Sequence, residues 1–148
     1  MTSPDPSDLA ARLALVEDRA AIADLVHDYA LCMRTGDCER GAAMFVEDGL
    51  FETRRTTPGA PKEIIQTTTM RGRAEILEHL QASVGRMAVW PVLHNLLIAV
   101  DGDEARASSV MIANILATGQ RLIGEYEDHF VRRGARWLIA VRRFTTVA

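Results

Sequence analysis

Between positions 22 and 33 apolar side chains return at steps of three and four. Ile22, Leu25, Val26, Tyr29, Cys32 and Met33 share one helical face, which predicts an amphipathic helix against a core. Gly36 lies just past its end and Asp37 is placed to cap a second, shorter helix from about Cys38 to Phe45, with Ala42 and Phe45 on its apolar side. The two read as a helical hairpin. Upstream, Leu9, Leu13 and Val16 predict a short helix over residues 9–16, within an N-terminal arm spanning residues 1–17.

The period changes after Asp48. Leu50, Phe51 and Thr53 suggest a strand, and Thr56 to Pro61 reads as a long hairpin loop because its two prolines oppose regular pairing. Residues 63–70, rich in Ile and Thr, form the returning strand, and Ile76, Leu77 and Leu80 restore helical spacing over residues 72–83. Residues 89–100, 104–118, 121–132 and 136–146 are β-rich runs separated by turns at 101–103, 119–120 and 134–135, which predicts an antiparallel meander. Helices early and strands late make an α+β class, one curved sheet wrapped around about three helices.

A length of 148 residues, with 48% hydrophobic and 25% charged, bounds the chain to one globular domain, residues 1–148. No apolar run approaches the roughly 18 residues of a membrane span, and the lead from Met1 to Pro6 lacks the basic start of a secretory signal, so a cytoplasmic location is expected. A net charge of −3 with scattered Arg and Lys gives no basic stripe for nucleic acid. Cys32 and Cys38 read as reduced thiols, and no His or Cys spacing suggests a metal site.

Several short stretches then combine. Ala21-Ile22-Ala23-Asp24-Leu25 with Tyr29, Gly36-Asp37, Phe45 to Asp48, and Gly72-Arg73-Ala74-Glu75-Ile76 come first; Asn95, Val100 to Ala105, Gly124 to Asp128, Gly134 and Trp137 follow. In this order they resemble the SnoaL-like branch of the nuclear-transport-factor-two superfamily over nearly the whole chain. The resemblance implies a cone-shaped α+β barrel with an apolar pocket at its wide end, no cofactor, and a homo-oligomer, dimer or trimer, packed through the outer sheet face. Relatives include scytalone dehydratase, ketosteroid isomerase, a dehydrochlorinase and polyketide cyclases. Dehydratase-like relatives carry an Asp/His dyad whose places are held here by Arg34 and Pro91, neither able to take a proton at neutral pH. Tyr29 matches a pocket-lining position, Tyr126 a pocket aromatic, and Arg142 an arginine used by the dehydrochlorinase-like members.

The remaining candidates carry two readings each. His94 shares strand parity with Val92, Leu96, Ile98 and Val100, which would bury it in the pocket wall as a neutral base; a bulge near Pro91 would reset that parity and leave a core or interface histidine. Arg34 either projects inward to hold an anionic oxygen or stays at the helix C-terminus, suited to the dipole and paired with Glu52 or Asp37. Asp128 either activates His94 or pairs with Arg142 across the sheet. Met33, Phe51, Trp90, Met111 and Tyr126 form a pocket wall or plain core, and Asn95 joins the ligand-binding set. His27, Asp28, His79 and His129 are expected on solvated or interface surfaces.

Beside a structural or oligomerisation module with a filled interior, these residues leave two functions open. One is a lyase or isomerase, a dehydratase, isomerase or cyclase acting on a cyclic apolar metabolite, with Tyr29 and His94 moving protons and an arginine stabilising oxyanion charge. The other is a binding domain without chemistry, for an apolar ligand bearing an acidic or carbonyl group.

Overall fold

The computed structural model describes residue 3 and residues 5–147. Helix α1 runs unbroken from Pro6 to Thr35, 30 residues, so the expected arm helix and main helix are one element. The physical reason is compositional: residues 7–35 contain neither Gly nor Pro and are rich in Ala and Leu. The Asp5 side chain accepts from the Ser7 N–H with Pro6 in the first turn, and Gly36, at φ 75°, ends the helix by donating to Cys32 O. Its first half carries Leu9, Leu13 and Val16 exposed, while Ile22, Val26, Tyr29, Cys32 and Met33 are buried. Residues 1, 2 and 4 of the expected arm lie outside the described residues.

Helix α2, Cys38–Ala43, is capped by Asp37, and α3 spans Gly72–Ser83, its start secured by Glu75, which accepts from the Arg71 N–H at 2.7 Å. The strands are β1 Phe45–Thr57, β2 Ala60–Arg71, β3 Val89–Asp101, β4 Glu104–Ile115, β5 Gln120–Arg133 and β6 Arg136–Thr146. The expected long loop shrinks to Pro58-Gly59, with Gly59 at φ 79° as a proline–glycine turn requires. Pro61 is accommodated because β2 is an edge strand, although the β1–β2 register slips beside it.

The sheet order is β2-β1-β6-β5-β4-β3. Strands β3 to β6 form the expected antiparallel meander, but β1 joins β6 in parallel, so the sheet is mixed. It curves without closing, since β2 and β3 remain edges, and α1 lies against β3 while α3 lies against β1. A clamp fixes α1 across the sheet. Asp18 accepts from Arg132 Nη2 at 2.7 Å and from Trp137 Nε1 at 3.1 Å, and the Arg132 guanidinium stacks 4.5 Å over the Trp137 ring.

Two irregularities decide which side chains face inward. Along β3 the pairing with β4 shifts between His94 and Leu97, where Asn95 adopts φ 52°. This bulge inverts the alternation, so Pro91 and Leu93 face the helices before it, and Leu96, Ile98 and Val100 after it. A second shift in the β5–β6 pairing, between His129 and Phe130, lets Trp137 and Ile139 and then Arg142 and Phe144 all point inward.

Candidate functional site

Between the concave sheet face and the helices lies a cavity of about 280 Å³. Its walls come from every strand except β2: Phe51 and Thr53 from β1, Pro91 from β3, Met111 and Ala113 from β4, Tyr126 from β5, Phe144 from β6. Tyr29 and Met33 of α1 and His79, Leu80 and Ser83 of α3 close it. Exposed Arg55 and Met87 mark where it meets solvent. A depression of about 440 Å³ on the opposite face of the sheet, bordered by Leu97, Arg106, Glu127, His129 and Arg143, is open and rimmed by charge. Enclosure by apolar walls makes the inner cavity the better ligand site.

One wall places its aromatics through a glycine. Phe144 lies so close to Gly124 that a Cβ there would stand 2.2 Å from its ring, and this lets Phe144 approach Tyr126 to 4.9 Å between centroids.

Just behind the tyrosines is the most buried charge among the described residues. Arg142 donates from Nε and Nη2 to the two Asp128 carboxylate oxygens, both at 2.8 Å, and its guanidinium lies 4.3 Å from the Tyr29 ring centroid and 4.2 Å from that of Tyr126. The two side chains are 1% and 0% exposed. The pairing follows from register, because Asp128 and Arg142 are direct partners across β5 and β6. Burial alone would lower the Arg142 pKa, but Asp128 outweighs it and holds the guanidinium protonated. Burial also drives the Tyr29 and Tyr126 pKa values upward, so both phenols stay neutral and neither serves as a base. Burial likewise raises the thiols of Cys32 and Cys38, which are free and buried.

The sequence candidates therefore separate. Tyr29, Met33, Phe51, Met111 and Tyr126 line the cavity, and Arg142 and Asp128 stand paired behind it. His94 does not reach it: the bulge at Asn95 turns His94 and Val92 to the exposed side, so Asp128 cannot activate it. Asn95 is itself exposed. Trp90 is 47% exposed and carries Arg34 stacked 5.1 Å over its ring, so both lie outside, and Arg34 borders a surface groove between α1 and β3 with His27. Glu52, offered as a partner for Arg34, is held instead by Arg54 and Arg143, each at 2.9 Å.

His79 is the residue sequence reasoning missed. Expected on the surface, it is half-buried in the cavity wall, edge-on to Phe51 with centroids 5.6 Å apart. Burial lowers its pKa below the ordinary 6.5. The signal was present: Ile76, His79, Leu80 and Ser83 fall at i, i+3, i+4 and i+7, one face of α3. Among the described residues no cluster of His, Cys, Asp and Glu is arranged to hold a metal ion, and no helix is long and apolar enough to cross a membrane.

Comparison with known proteins agrees with this architecture. Residues 14–143 match the SnoaL-like domain. An NTF2-like protein with a cystatin-like fold from Novosphingobium aromaticivorans is 25% identical, with a TM-score of 0.80 over 98% of this chain and 92% of that one. A candidate scytalone dehydratase from the same organism is 26% identical, with a TM-score of 0.74 over 93% and 89% of the two chains. A Mycobacterium tuberculosis protein of unknown function is 28% identical, with a TM-score of 0.74 over 98% of this chain and 78% of that one. No protein of curated function matches the sequence. With most of its length matched by the family and the fold shared with these structures, the chain belongs to the SnoaL-like domain family and has the NTF2-like fold.

Proposed function

We propose that this protein binds one small, mostly apolar, ring-bearing molecule in the cavity between the sheet and α3. The observation that carries this is the cavity itself: about 280 Å³ walled by Tyr29, Phe51, Tyr126, Phe144 and methionines. An apolar cavity of about 150 Å³ holds one benzene, so this one has room for two fused rings. The interior cation, Arg142, is already neutralised by Asp128, and a ligand carboxylate buried there would lack a partner. The ligand's buried portion is therefore uncharged, with a hydroxyl or carbonyl rather than an acid group.

A test uses naphthalene, whose own fluorescence reports its environment. Saturable one-to-one binding to the wild type, abolished by Ala113→Phe, is expected, because Ala113 is buried at the wall and a phenyl group there fills the space. Circular dichroism checks that the variant folds. Absence of saturable binding to the wild type refutes the reading.

A second reading, cofactor-independent lyase or isomerase chemistry on such a ligand, draws support from the imidazole of His79 on the cavity wall and from the similarity to a candidate scytalone dehydratase. His94 and Arg34 contribute nothing to it, since both lie outside.

A further inference from the structure

The polar groups around the cavity are unevenly committed. The Ser83 hydroxyl donates to the His79 carbonyl oxygen at 2.7 Å, Arg55 Nη1 donates to Gln66 Oε1 at 3.2 Å, and Arg142 is held by Asp128. The imidazole of His79 differs. Among the described residues no protein group hydrogen-bonds its ring nitrogens, and neither is sealed away in the manner of His129 Nε2, a buried atom without a hydrogen-bond partner. Its ring is fixed against Phe51, so its polar edge is available in a wall that is otherwise mostly carbon. A neutral imidazole offers one acceptor nitrogen, and it is a better acceptor than the two tyrosine hydroxyls that share the cavity.

We propose that His79 recognises a hydroxyl on the ring ligand by accepting its hydrogen bond, which makes phenols and enols the ligand class of this cavity. The proposal rests on the ring-binding reading above and specifies it. Neutrality of the imidazole is essential, because a protonated ring has no acceptor left. Burial is the sole cause of the lowered His79 pKa, with no charged group contributing. The titratable or charged groups that share the cavity with it are Tyr29 on α1, Arg55 on β1 and Tyr126 on β5, while α2 and β2 contribute none.

The experiment compares 1-naphthol with naphthalene by fluorescence titration, in the wild type and in His79→Leu, from pH 8 to pH 4.5. An unpaired hydroxyl weakens entry into an apolar site, so without an acceptor naphthalene binds more tightly. With His79 neutral, naphthol binds about 3- to 10-fold more tightly than naphthalene, the ordinary net value of one hydrogen bond. The order reverses in His79→Leu, and in the wild type the naphthol preference disappears as pH falls through the lowered His79 pKa, somewhere below 6.5. If the variant does not fold, the wild-type pH series decides alone. Binding of both probes with naphthalene preferred at pH 8, or a naphthol preference unchanged by pH, overturns the role of His79 and leaves the cavity reading standing. Failure of both probes to bind overturns the cavity reading and this proposal with it.

Discussion

Asp128→Asn is the substitution that most directly tests how the cavity's inner wall is held. It preserves shape but removes the charge facing Arg142, which is 1% exposed and has its Nε and Nη2 committed to Asp128 at 2.8 Å. The Tyr29 and Tyr126 rings at 4.3 and 4.2 Å remain, but their quadrupoles replace only part of a lost carboxylate. Breaking a buried ion pair from one side costs about 3–5 kcal/mol. For a chain of this size that lowers the melting temperature by about 6–20 °C. Removing both charges together, as Asp128→Leu with Arg142→Met, eliminates the two desolvation penalties along with their attraction and should return stability to within about 2 kcal/mol of wild type. Urea denaturation followed by circular dichroism measures Asp128→Asn and, with the single variants Asp128→Leu and Arg142→Met added, the four corners of the double-mutant cycle. A loss below about 1 kcal/mol for Asp128→Asn, or a double variant as unstable as the single one, would refute the view that this pair is coupled and solvent-excluded.

Three further outcomes follow from the same geometry. Gly124→Ala forces a methyl to within 2.2 Å of the Phe144 ring and 2.8 Å of Thr145 O, and should destabilise by about 1–3 kcal/mol while weakening naphthalene binding; unchanged thermal stability would show that Phe144 moves freely. His94→Ala should leave stability within about 0.5 kcal/mol and leave naphthalene affinity unaltered, since the side chain is exposed beyond the bulge, and a marked loss of binding would place it in the site after all. Asp18→Asn should melt below wild type at pH 7. The hydrogen bond from Arg132 lowers the folded-state pKa of Asp18, so its contribution is complete above the unfolded value near 4 and is lost as pH falls through the folded one. The two melting curves should therefore converge in acid, and a gap that persists there would assign the effect to packing.

The helices from Ile22 onward were legible because their signals are local, although the arm helix merges into α1 and Phe45 opens β1 instead of ending α2. The apolar face from Ile22 to Met33 and the Gly36-Asp37 punctuation each report on their own few residues. The Asp128–Arg142 pair was also within reach, since two opposite charges on inward positions of adjacent strands have few partners but each other. Strand facing was harder. Parity along β3 predicts a buried His94 only if the strand is regular, and one residue at φ 52° exchanges the two faces. Asn tolerates the left-handed region better than most residues, but that tolerance alone does not place a bulge at Asn95; the register with the neighbouring strand does. The parallel placement of β1 beside β6 is likewise a long-range choice that alternation cannot reveal. His79 escaped for another reason: a histidine next to Glu78 and two residues from Gln81 reads as surface until Ile76, Leu80 and Ser83 are counted with it as one helical face.

The buried ion pair and the cavity form one arrangement. A charged wall behind the tyrosines would draw water into the cavity and favour anions; a fully apolar wall would leave the tyrosines without a fixed partner. A neutralised guanidinium between the two rings holds both phenols in position while presenting no net charge to the interior. Selectivity must then come from groups at the cavity surface that are still free to bond. Tyr29 and Tyr126 stay protonated through burial, the Ser83 proton is given to the His79 carbonyl and Arg55 Nη1 to Gln66. Among the lining groups, which include the weaker-accepting hydroxyls of Thr53, Ser83 and Thr146, the neutral imidazole of His79 is the strongest acceptor for choosing among ring-shaped molecules of similar size. The charge balance at the back of the cavity and the single histidine on its wall together favour an uncharged ring with a hydroxyl over its carboxylated counterpart.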